Sequence, residues 1–296
     1  EYEIDEWNAT GESLVWVKVI DFSTQSKILA RWGNDLNTTA PPSSPIWSEF
    51  EGVWHLHDNL DSSSNGRNGS PTANVSFSGN GLIGKSVSLS GSDHIEVSTF
   101  NGISSDNPRS VSMWFKSSAN SGNLLGWGST GNFWDIAWNS QGPLVSTGNA
   151  NGKRQGFGTL SDDHWHHLLL SYPGNGADLN TTRIYLDGNL ADVPASSVSG
   201  LVNTSPSSGV KIGANFDHSN SMTGLLDEVR ISNQNRGQAW AKYSFLNQGS
   251  SSSLLNYDLE YLLPPVLPSD INVTVVTNEL MSLKVQSNPP ATNYSV

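Results

Sequence analysis

Cysteine is absent from the 296 residues, which excludes disulfide cross-links, thiolate metal ligands and a cysteine nucleophile together while leaving the redox compartment open. Charge is scarce as well. Only 14% of residues are charged, and 27 acidic side chains against 15 basic ones leave a net charge of −12. With no cluster of Lys or Arg to offset it, such a surface attracts neither nucleic acid nor an anionic membrane, so both are excluded as partners, whereas a divalent cation is compatible with it. No apolar run approaches the ~18 residues of a membrane-spanning helix. Glu1 is neither an initiator methionine nor the start of a signal peptide, and the chain is expected to be a piece of something longer.

Helical periodicity is the next absence: almost none precedes residue 238. Ser, Asn and the 28 glycines instead divide the chain into strand-length segments, the composition of turns and hydroxyl-rich strand faces. YEIDEW, SLVWVKV and SKILARW read as short strands of a partial small β-domain over residues 1–47, whose first strand has no partner upstream. APPSSP at 40–45 then breaks the chain. From 48 to 248 follow GKSVSLSG, DHIEVST, SVSMWFKSS, HWHHLLLSY, TTRIYLDG, GVKIGAN and GLLDEVRIS, a spacing that predicts a β-sandwich, with one helix at QAWAKYSFLNQ, 238–248. Residues 249–270, with GSSSS and LPPVLPSD, read as a linker. Residues 271–296 open with a hairpin-like pair and are expected to start a further β-domain or to form an exchanged hairpin. Two strands alone bury too little apolar area, so Val273, Val275, Leu283 and Val285 need another surface, expected from a neighbouring copy or an adjoining domain.

Three stretches carry a resemblance: VWHLHDNLDSSSNGRNG near the start of the long segment, SDDHWHHLLLSY followed by RIYLDGNL in its middle, and GLLDEVRISNQNR before Trp240 and Asn247-Gln248. Together they resemble a laminin-G-like, concanavalin-A-like module, which implies an all-β fold, an antiparallel two-sheet jelly-roll sandwich with small flanking β segments. Residues 1–47, through EYEIDEWNATGESLVWVKV and ARWGN, resemble the second half of a small β-domain that often precedes such modules in microbial surface proteins. The resemblance implies an extracellular or cell-surface location.

Metal chemistry has two places to sit. His55 and His57 flank Leu56 on an expected strand and share a face, a geometry open to zinc or copper but more often structural. The loop after them offers Asp58, Asp61, Asn65 and carbonyls as hard oxygen donors for a structural Ca2+, with Asp227 as the long-range partner; the rival reading is a turn network of side chains bonded to backbone. His164, His166 and His167 lie on neighbouring positions whose side chains diverge across a strand, and Trp165 with its alternate residues is expected between the sheets. Asp187-Gly188 signals a hairpin turn.

For a ligand, GWGSTGNFWDIAWNSQG is the favoured patch. Sugars present C–H faces that stack on aromatic rings, and Trp127, Trp134 and Trp138 are expected to offer such rings while Asn132, Asp135 and Asn139 take hydroxyl hydrogen bonds. The opposing reading buries these rings in the core. A jelly-roll hydrolase needs two carboxylates about 5 to 9 Å apart on one strand face; neither Glu-x-Asp-x-x-Glu nor Glu-x-Asp-x-Glu occurs, and Asp162-Asp163 and Asp227-Glu228 are adjacent pairs that diverge. The expectation is therefore a non-catalytic surface or adhesin module that binds an extracellular glycan or polysaccharide. Its alternatives are a filament subunit assembling through terminal strands, with neighbouring copies as partners, and a jelly-roll glycoside hydrolase.

Overall fold

A computed structural model describes residues 1–8, 11–19, 26–32, 45–148, 153–154, 160–191, 200–249, 256–257, 269–275 and 281–286. Most of the expected linker, and the residues after 286, lie outside them. The chain divides into two units, Trp47–Lys242 and a discontinuous one made of Glu1–Ile46 with Tyr243–Val296.

The central unit is an antiparallel two-sheet jelly roll. One sheet runs, edge to edge, Lys153–Arg154, Gly142–Thr147, Asn132–Asn139, Gly122–Ser129, Val210–Ile212, Ile95–Val97 and Ser70–Pro71. The other runs Asn189–Leu190, Arg183–Leu186, Trp165–Tyr172, Arg109–Lys116, Thr223–Ser232, Lys85–Ser90 and Ser76–Asn80, with Gly52–Trp54 also pairing to Thr223–Ser232. Alternation along each strand supplies the core between them: Val111, Met113 and Phe115 face Trp134, Ile136 and Trp138 within one buried cluster. On Trp165–Tyr172 it is Leu168, Leu170 and Tyr172 that join this cluster. The inward phase is thus one residue off the expected one, and Trp165 stays half-buried at the rim.

The ten-residue strand Thr223–Ser232 is interrupted by a bulge between Asp227 and Arg230, with Glu228 in the left-handed region at φ 53°. Here the chain buries its acidic pair. Asp227 Oδ2 accepts from the backbone N–H groups of Leu82 and Ile83 at 2.8 and 3.0 Å. Glu228 takes Arg230 Nη2 at 2.6 Å and His55 Nδ1 at 2.9 Å. Burial foremost, then the Glu228 charge, pushes the Asp227 carboxyl well above its ordinary range.

In the discontinuous unit, strands from the two ends of the chain complete one another. Tyr2–Glu6, Glu12–Val17 and Met281–Gln286 form one sheet, and Asn256–Tyr257, Ser269–Val275 and Ser26–Trp32 another. Glu12 pairs with Gln286 through to Val17 with Met281, and Ser26 with Val275 through to Trp32 with Ser269. Residues 1–47 and 271–296 are expected to need a surface from a neighbouring copy or an adjoining domain; the two ends of the chain supply it to each other instead. The partner that a two-stranded hairpin lacks comes from the same chain, with the jelly roll inserted between the halves.

Candidate functional site

The proposed sugar platform is not where the sequence pointed. Trp127, Trp134 and Trp138 are 0–1% exposed; Trp127 stacks on Trp134 at 6.3 Å inside the core, and Trp127 Nε1 donates to the Ile103 carbonyl at 3.2 Å. No sugar reaches them. Their hairpin is regular, Ser129 pairing with Asn132 and Trp127 with Trp134, so alternation sends the indoles inward and the intervening residues outward. Asn132 and Asn139 sit at the two ends of their strand, half-exposed, and Asn139 Oδ1 accepts from the Gln141 backbone N–H at 2.9 Å.

The calcium donors also serve other ends. Asp61 accepts from Val53 N and Ser63 N on Oδ1, both at 2.9 Å, and from Ser63 Oγ and Arg67 N on Oδ2 at 2.8 and 2.7 Å. Four donors fill the four lone-pair positions of a carboxylate, leaving none for a cation. Asp58 Oδ1 accepts from Leu60 N at 2.8 Å, and Asn65 Nδ2 donates to the Phe50 and Glu51 carbonyls at 3.3 and 3.2 Å. Asp227 binds the Gly81–Ile83 loop instead of this one. Among the described residues none of these carboxylates belongs to a close cluster of three ligand groups. As placed, Asp61 serves its own loop as a side-chain-to-backbone network and Asp227 the 81–83 loop. Of the histidines, His55 is the buried partner of Glu228, and His57 lies 3.4 Å from Asp58. Leu56 has φ 65°, so these two histidines do not share a continuous strand.

Polar side chains gather instead on the outer face of the seven-stranded sheet. Cross-strand pairing places Ser146, Asp135, Gly126, Lys211, Glu96 and Ser70 in one row, since directly opposed residues share a face. A turn at 214–221 crosses this row. It is closed by an Ala214–Ser221 bridge, by Asn215 Oδ1 accepting from Asn220 N at 3.1 Å and by Asp217 Oδ1 accepting from Ser219 N at 3.0 Å. A bond to the sheet helps hold it: Phe216 N donates to Asp135 Oδ1 at 2.9 Å. Gly126 makes room for that bond, because a Cβ there would stand 2.1 Å from Asp135 Oδ1 and 2.5 Å from Phe216 N.

Two features result. Phe133 and Phe216 stack at 4.4 Å with planes 9° apart, both half-exposed and flanked by Asn132, Asn215 and the exposed Asp217. At the other end of the turn, His218, exposed and in the left-handed region at φ 64°, meets the buried His94, Nδ1 to Nε2 at 2.8 Å. Glu96 is held beside them by Lys211 Nζ at 2.9 Å. Burial under the turn pushes the Asp135 carboxyl up to about 8, against the pull of the Phe216 N–H and with the Asp217 charge adding to the rise. Burial likewise lowers both His94 and His218, the Lys211 charge acting in the same sense; the Lys211 hydrogen bond lowers Glu96. The sequence signals that could have found this site were the His94-x-Glu96 alternation and the turn-rich NFDHSNS stretch; nothing in the sequence joined them.

Residues 89–242, over half of the chain, match a family model described as the concanavalin A-like lectin/glucanases superfamily. Among solved structures, the chain is similar to domain 4 of AbnA, a GH43 extracellular arabinanase from Geobacillus stearothermophilus, in complex with arabinotriose. That likeness has 21% identity and a TM-score of 0.50, covering 66% of this chain and 97% of that one. It is also similar to the binding domain of Paraclostridial Mosquitocidal Protein 1, at 13% identity and a TM-score of 0.51, covering 72% of this chain and 56% of that one. At such identities the likeness is one of fold. No curated protein matches the chain.

Proposed function

Because this chain belongs to the concanavalin A-like lectin/glucanases superfamily, we propose that its jelly roll is a non-catalytic glycan-binding module of a secreted or surface-exposed protein. The observation that carries this reading is the half-exposed Phe133–Phe216 pair, with Asn132, Asn215 and Asp217 next to it in sequence. An aromatic face beside amide and carboxylate groups is what a sugar ring, apolar on its C–H side and polar at its rim, requires.

Carboxylate placement argues against hydrolysis. Asp227 and Glu228 are 0% and 1% exposed, so no substrate reaches them. Asp135 and Glu96 share the outer face but lie three strands apart in the pairing. At ~4.8 Å per strand that is roughly 14 Å between backbones, beyond the 6.5 to 9.5 Å of an inverting pair of carboxyl groups. Among the described residues no helix is long and apolar enough to cross a membrane.

The test is binding of the whole chain to a panel of polysaccharides, arabinan included because a domain of similar fold has been solved with arabinotriose. Phe216→Ala should weaken the binding by roughly 1 to 3 kcal/mol, as loss of an aromatic stacking platform does. Unchanged affinity in that variant, with its fold intact, places the site elsewhere. Release of reducing ends from a bound polysaccharide would overturn the non-catalytic reading.

A further inference from the structure

His94 and Glu96 stand two apart at the strand Ile95–Val97 and therefore share a face, and the turn at 214–221 brings His218 over them. His94 Nε2 and His218 Nδ1 are 2.8 Å apart. With a Glu96 carboxylate oxygen, the three ligand atoms lie within 4.8 Å of one another. We propose that His94, Glu96 and His218 bind one divalent transition-metal ion of the zinc class, as a His2Glu set whose fourth position opens to solvent on the His218 side.

The donor types choose the metal class. Two imidazoles with one carboxylate suit zinc and its neighbours, whereas calcium and magnesium take oxygen shells. The distances are close to what is needed: with Zn–N bonds of about 2.0 to 2.1 Å at a tetrahedral angle, two ring nitrogens stand ~3.3 Å apart. The pair must part by about half an ångström on zinc entry, and the exposed turn that carries His218 supplies that movement. In the free protein the arrangement is poorly satisfied. His94 is 8% exposed, and its Nδ1 has no hydrogen-bond partner among the described residues, while its Nε2 meets another ring nitrogen in place of an oxygen acceptor.

The surroundings complete the set. Lys211, fully buried, donates to Glu96 Oε1 and to the Gly209 carbonyl at 2.9 and 2.7 Å, which fixes the carboxylate and leaves Oε2 for the ion; such outer donors orient metal-binding carboxylates. Asp93 and Asp217, each next in sequence to one of the two histidines, add negative charge beside His94 and His218 respectively. Asp93 is held by Ser90, Thr72 and Asn74, and Asp217 by the Ser219 N–H.

This site does not depend on the glycan reading, and its test uses no sugar. Whole chain stripped with EDTA is titrated with zinc by calorimetry, and with cobalt(II) by visible absorption. One equivalent should bind, raise the melting temperature by linkage and give the intense d–d bands of a low-coordinate cobalt site. His218→Ala, on an exposed turn, should melt like the metal-free parent yet lose the site, with affinity falling about a hundredfold or more. Glu96→Gln should weaken it by about tenfold or more, and His164→Ala, which removes another exposed imidazole, should leave it intact. No saturable binding at one equivalent overturns the proposal, as does equal affinity in parent and His218→Ala or loss of binding in His164→Ala.

Discussion

Asp135 shows how one buried group reports on its surroundings. Its carboxyl is raised to about 8 by burial under the 214–221 turn, from about 3.9 in an unfolded chain. Between those values the folded state holds the extra proton, so stability falls as pH rises from about 4 to 8 and levels off beyond. Asp135→Asn keeps the shape and the acceptor for Phe216 but cannot ionise. It should match the parent in thermal melts near pH 4 and exceed it near pH 9; a parent-to-variant difference that does not grow with pH would show an ordinary carboxyl. At this scale the sequence was a poor guide to the site. Asp135 and Asn132 were named, but for the company of Trp127, Trp134 and Trp138, whose burial depends on strand phase. Asp61 was named as a ligand, yet a carboxylate that organises its own loop and one that holds calcium look alike until its donors are seen.

The hairpin Gly122–Ser129 with Asn132–Asn139 is the element where the sequence misled most. The stretch reads as a patch of rings offered to a ligand. In the structure Gly126 and Gly128 lie within a strand, and the missing side chain at 126 is what lets the 214–221 turn approach the sheet. Gly126→Ala should therefore break the Phe216 N–H to Asp135 bond and loosen that turn while the core beneath persists. Faster amide exchange at Phe216 and His218, with exchange in Trp165–Tyr172 unchanged, is the expected result; protection kept at Phe216 would mean the sheet yields instead. Elsewhere the elements were legible. QAWAKYSFLNQ is the helix Gln238–Gln248, and Asp187-Gly188, with φ of 49° and 73°, forms the two-residue turn that places Leu186 opposite Asn189, as a hairpin of that sequence requires. Phase was harder than existence. HWHHLLLSY has large side chains on both faces, so alternation alone did not say which face was inward.

At the scale of the molecule, the insertion of one unit into another was not legible. Pairing between residues 12–17 and 281–286 spans almost the whole chain, and no local pattern encodes so distant a partner. The consequence for folding is direct: residues 47–249 carry their own two-sheet core and should fold alone, with a cooperative melt. Residues 1–46, deprived of Ser269–Val275 and Met281–Gln286, should remain unfolded by circular dichroism and dispersed NMR spectra, since short unpartnered strands do not hold. A structured 1–46 fragment would refute the shared sheets. The same arrangement decides how the protein responds to mechanical load. Tension applied between Tyr2 and Gln286 enters the sheet at Tyr2, opposite Val17, and leaves it at Gln286, opposite Glu12, so Tyr2–Glu6, Glu12–Val17 and Met281–Gln286 are loaded in shear along their length. The jelly roll, inserted in the chain between these strands, lies off that load path, so the small unit bears the force until its strands slide past one another, before any strain reaches the sheet face that carries Phe216 and His218.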